Sequence, residues 1–188
     1  RFGVDLVTFF HPGFWEVEDY GDIIEHARTE PRAFWDKILD SVQASGVTGV
    51  ELTFSPFNWQ DAVKTYGSVE AFAGELSRRG LTLCSGFFAE LEAAGDFTKA
   101  EAQAAIIDKA EKYAEFLKAC GSDIMVIGAP LRQTLGAQPT RFFDFEQARK
   151  IADFLNRLGA TLYTKGVRLA LHTEAHSSVA AAREADRL

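Results

Sequence analysis

The chain has 188 residues, 47% of them hydrophobic and 25% charged, with 27 acidic against 20 basic side chains and a net charge of −7. That length supports one domain with a real core, and the acidic balance argues against a nucleic-acid or anionic-membrane surface, which needs clustered Lys and Arg. No apolar run approaches 18 residues, so no membrane-spanning helix is expected, and the start shows no signal-peptide pattern.

The opening "FGVDLVTFF" reads as a first strand, followed by an aromatic turn, "HPGFW". Pro31 suits the first turn of a helix, and Phe34, Trp35, Ile38, Leu39 and Val42 form its apolar stripe up to Gly46. A second strand lies in "GVTGVELTF". A weaker helix follows, carried by Val69, Phe72, Ala73 and Leu76 and ending at Gly80. "LTLCSGFF" is the third strand. Thr98 with Glu101 then forms a capping-box pattern ahead of Ala102, Ala105, Ile106, Tyr113, Phe116 and Leu117. The fourth strand is "DIMVIGA". Asp144 caps a further helix with Ala148, Ile151, Ala152, Leu155 and Leu158 on its inner face, and "VRLALHTE" is the fifth strand. Ser177 or Ser178 opens a last helix that continues to residue 188.

Gly46, Gly80, Gly121 and Gly166 each stand between a helical stretch and an apolar run too short for a helix. This is the pattern of a left-handed helix terminator followed by a buried parallel strand. Their spacings of 34, 41 and 45 residues fit one helix, one strand and two loops. Strict βα alternation means a parallel sheet covered by helices, either an open doubly wound sheet or a closed (β/α)8 barrel. No Gly-x-Gly-x-x-Gly follows the first strand, which weakens a dinucleotide-binding reading. A complete barrel needs about 250 residues. The expectation is therefore a single barrel domain over residues 1–188 holding about the first five βα units, with the rest beyond residue 188. The two cysteines, Cys84 and Cys120, lie among apolar residues and are expected to be reduced, buried thiols of a cytoplasmic protein.

Chemistry collects at the carboxyl ends of parallel strands. His11 follows the first strand, and Glu51 alternates with Val50 and Leu52 so that it faces away from the helices. Ser85 and Glu90 near the end of the third strand show nothing specific; Arg132 and Gln133 follow the fourth and could meet an oxygen-rich ligand. Phe14, Trp15 and Trp59 could line a sugar ring. The fifth strand carries the strongest signal. His172, Glu174 and His176 fall at every second position, opposite in parity to Leu169 and Leu171. Imidazole and carboxylate are normal ligands of Zn and Mn-type ions. The alternative for the same string is a hydrogen-bonded strand end with Glu174 paired to Arg168 or Arg132.

With "GVDLVTFFHPGFW", "GVTGVELTF" and "KGVRLALHTEAHSSVAAAREADRL" in view, the chain resembles the xylose isomerase-like superfamily of sugar isomerases, epimerases and inosose dehydratases. The resemblance implies a divalent-metal (β/α)8 barrel whose metal is held by one side chain from each of strands five to eight. By position, Glu174 is the first of these ligands. The implied cofactor is a divalent ion, manganese in the first place, with magnesium, cobalt and zinc as alternatives. The implied reaction is proton transfer on a sugar, keto-sugar or cyclitol through a metal-stabilised enediolate. Glu174 and His172 would be catalytic, and His11, Glu51, His176 and Arg132 would contact substrate. Expected partners are a small carbohydrate and further copies of the chain, without nucleic acid or membrane. A metal-free carbohydrate-binding barrel and an endonuclease-IV-like phosphodiesterase are the rival readings.

Overall fold

The structure, a computed structural model, describes residues 2–93, 99–129 and 144–173. Parallel strands alternate with helices along the chain: β1 (Gly3–Asp5), α1 (Pro12–Trp15), α2 (Tyr20–Thr29), α3 (Pro31–Ser45), β2 (Gly49–Leu52), α4 (Trp59–Tyr66), α5 (Val69–Arg78), β3 (Thr82–Phe87), α6 (Glu90–Ala93), α7 (Ala100–Ala119), β4 (Ile124–Gly128), α8 (Phe145–Thr164) and β5 (Arg168–His172). Contacts group them into two compact units. One holds Arg1–Phe87 with Phe116–Asp123, and the other Phe88–Glu115 with Ile124–Leu188.

In the first unit β2 lies between β1 and β3, parallel to both. Gly3, Val4 and Asp5 pair with Gly49, Val50 and Glu51. Gly49 and Val50 pair with Thr82 and Leu83; the register then slips by one, so that Glu51 pairs with Ser85 and Leu52 with Gly86. Val50 and Leu52 are fully buried, as are Phe34, Ile38 and Leu39 of α3 and Phe72 of α5. Pro31 sits in the first turn of α3, whose buried stripe is the one its spacing predicts. The same four glycines that punctuate the sequence all adopt positive φ, between 68° and 81°, a backbone that costs a side-chain-bearing residue energy.

A buried cation ties α3 to α5. The Arg79 side chain is only 2% exposed and donates to Asp36 at 2.7 Å and to Asp40 and Glu75 at 2.6 Å each. Arg32 bridges Asp36 and Glu75 as well, at 2.8 and 2.7 Å, and Arg78 reaches Glu75 at 2.9 Å.

In the second unit β4 and β5 pair in parallel, from Ile124 opposite Arg168 to Gly128 opposite His172. Helix α8 opens with a reciprocal cap between Asp144 and Gln147 and buries Ala148, Ile151, Phe154, Leu158 and Leu162. Leu155 and Ala152, expected on that face, are only half-buried, because Phe154 takes the inward position.

Five further expectations need correction. The first strand is three residues long: the Asp5 carboxylate accepts from the Val7 backbone N–H and starts a single 3-10 turn over Leu6–Phe9. Helix α2 was not foreseen, although Asp19 and Asp22 cap it reciprocally. The helix expected between the second and third strands is two helices, broken where Gly67 takes φ 92° and Ser68 caps α5. Cys84 is exposed rather than buried; both cysteines are free. Ala105 of α7 is also exposed. The Thr98 cap and the helix opened by Ser177 or Ser178 lie outside the described residues.

Candidate functional site

His11 follows the turn after β1 and caps α1: its Nδ1 accepts from the Gly13 backbone N–H at 3.1 Å. Three contacts fix this short helix. The Trp15 indole donates to the Phe9 carbonyl at 2.7 Å, its ring stacks on Phe34 at 4.4 Å with 7° between planes, and the Lys37 ammonium donates to the Phe14 carbonyl at 3.1 Å. Trp15 is thus a packing residue, 6% exposed. Trp59 leans on Phe116 at 5.3 Å. The packing role that the sequence also allows is the one Trp15 takes, while Trp59 is half-buried. Exposed aromatic surface after β1 and β2 is carried instead by Tyr20 and Phe54, which stand 5.1 Å and 6.0 Å from the half-buried Phe10.

Glu51 lies where alternation puts it, half-buried between two fully buried aliphatics on the sheet face away from the helices. It is in register with Asp5 on one side and Ser85 on the other, so polar side chains from three adjacent strands form one row. Ser85 Oγ donates to Glu51 Oε2. Neither Ser85 nor Asp5 stands out in the sequence. The matched spacing of Gly3 and Asp5 with Gly49 and Glu51 is the one signal that could have found Asp5.

The slip between Val50 and Glu51 is what delivers Ser85. Up to that point Leu83 sits opposite Val50, both packed under the helices. One extra residue, Cys84, then enters β3, and its Sγ donates to the Val50 carbonyl at 3.0 Å. A bulge of this kind re-aims the side chains that follow it. Without it Ser85 would pair with Leu52 on the helix side.

In the second unit His172 is the last residue of β5 and is exposed. On the same strand, Leu169 and Leu171 line a groove of about 620 Å³ with Ile127, Leu155, Gly159 and Tyr163, on the helix side of the strand. His172 takes no part in lining it, in keeping with the opposite parity read from the sequence. Glu174, His176 and Arg132 lie outside the described residues. Among the described residues no group of three or more His, Cys, Asp or Glu side chains could hold a metal ion, and no helix is long and apolar enough to cross a membrane.

A family model described as "Xylose isomerase-like TIM barrel" matches residues 39–188. No curated protein sequence matches the chain. Among solved structures, the chain is similar to the IOLI protein with a bound zinc atom (TM-score 0.60, 15% identity, covering 78% of this chain and 50% of that one). It is also similar to a sugar phosphate isomerase/epimerase from Parabacteroides distasonis ATCC 8503 (0.56, 15%, 90% and 50%) and to the probable 3-DHS dehydratase AsbF from Bacillus anthracis (0.59, 13%, 96% and 54%). The chain spans about half the length of these structures. At such identities the likeness is one of fold.

Proposed function

Because this chain belongs to the xylose isomerase-like TIM barrel family, we propose that it supplies the first five βα units of a divalent-metal-dependent isomerase, epimerase or dehydratase acting on a sugar, keto-sugar or cyclitol. The observation that carries the reading is the end of β5. A sheet strand with its leucines against the helix side terminates in an exposed imidazole, His172, at the carboxyl end where barrel enzymes place their chemistry. Two residues on, Glu174 shares the parity of His172.

The described residues do not by themselves form a metal centre. Glu174 nonetheless has the right chemistry for one ligand of such a centre, a carboxylate with His172 and His176 two residues to either side of it in the sequence. In this reading Glu174 is a ligand. A divalent ion held there supplies Lewis acidity, polarising a substrate carbonyl and its neighbouring hydroxyl. Manganese is our first choice; the zinc in the IOLI protein supports a divalent ion of some kind. The chain's own groups do the rest. His172 takes the proton from the carbon beside the carbonyl. In an isomerase it delivers that proton to the former carbonyl carbon while a hydroxyl proton passes between the two oxygens, and in a dehydratase it delivers it to the departing hydroxyl, which leaves as water; in an epimerase a second acid on the opposite face supplies the new proton. His11, Glu51, His176 and Arg132 contact the substrate's oxygens. Carboxylates along the β1–β2 row and the net charge of −7 favour a neutral polyol over a phosphorylated one. Two free thiols support a reducing, cytoplasmic setting.

The test uses the full-length, metal-stripped protein. Manganese binding is read by electron paramagnetic resonance, and proton exchange by deuterium incorporation from D2O into neutral ketopentoses, ketohexoses and keto-cyclitols. Stoichiometric binding that weakens at least about tenfold in Glu174→Gln, with exchange beside the carbonyl of one substrate, is expected. Unchanged binding and exchange in that variant would remove Glu174 from the centre. Absence of stoichiometric manganese binding in the wild type would favour the metal-free carbohydrate-binding barrel instead.

A further inference from the structure

We draw no further inference here: the strongest candidate, the apolar groove that Leu155, Gly159 and Tyr163 of α8 form with Leu169 and Leu171 of β5, is an open face for which nothing among the described residues shows what covers it.

Discussion

Replacing Arg79 by Met should destabilise the folded protein by about 2–3 kcal/mol at pH 7. Removing one partner of a buried ion pair costs about 3–5 kcal/mol, because the remaining charge stays desolvated. Here three carboxylates lose the same cation, but not equally. Glu75 keeps Arg78 and Arg32, Asp36 keeps Arg32, and Asp40 is 60% exposed and relaxes into water. Those alternatives place the loss below the usual range. For a barrel of this class it corresponds to a fall in Tm of about 5–10 °C, read by circular dichroism on the full-length protein. Met keeps much of the volume of the arginine stem, so the loss reports the charge rather than a cavity. The pH dependence gives an independent check. Hydrogen bonds, first from Arg78 and then, against opposing burial, from Arg32 and Arg79, hold the Glu75 carboxyl down at about 2. Burial pushes Asp36 up, yet hydrogen bonds from Arg32, Arg79 and Tyr66 outweigh it and leave it lowered. Groups with depressed folded-state values stabilise the fold fully above their ordinary value of 4.5 or 3.8, and that stability is lost as pH falls toward 2. The difference between wild type and Arg79→Met should therefore shrink across that window. A loss under about 1 kcal/mol, or a difference that grows from pH 6 to pH 3, would refute the argument that Arg79 is a clasp.

Two glycines should respond to alanine with opposite signs. A Cβ at Gly49 would stand 3.1 Å from both the Gly3 Cα and the Phe2 carbonyl oxygen, backbone atoms that cannot step aside cheaply, so Gly49→Ala should cost about 1–3 kcal/mol in thermal unfolding. Gly74, inside α5 with nothing within 4 Å, should gain about 0.5–1 kcal/mol in the same measurement. Burial, with the nearby charge of Glu70, pushes the Cys120 thiol up to about 11. Cys120 should therefore resist N-ethylmaleimide at pH 8 in the folded protein and react in urea, as read by peptide mass spectrometry.

What was legible in the sequence was whatever a single segment decides. A glycine after an apolar helix stripe can be read as a left-handed stop without knowing its neighbours, and Gly46, Gly80, Gly121 and Gly166 all are. The parity of Glu51 against Val50 and Leu52 needs only the strand's period of two. Features that depend on two segments were invisible. The bulge at Cys84 is a mismatch between β2 and β3, so Ser85 looked nonspecific, and its partner lies 34 residues away. Arg79 in "SRRG" reads as surface charge because Asp36 and Asp40 are some forty residues upstream. Helix α2 was missed for a different reason. Its paired aspartates precede a mostly polar stretch with one buried residue, Ile23, too thin a stripe for periodicity to register.

One small contact limits what His11 can do. A ring nitrogen that accepts from a backbone amide carries no hydrogen, so in the neutral imidazole the hydrogen sits on Nε2. The residue then offers a ligand one thing, an N–H pointing outward from a braced turn. To become a base it would have to let go of Gly13 and unfasten the start of α1, which makes His11 a reader of oxygen atoms and leaves the carrying of protons to side chains elsewhere.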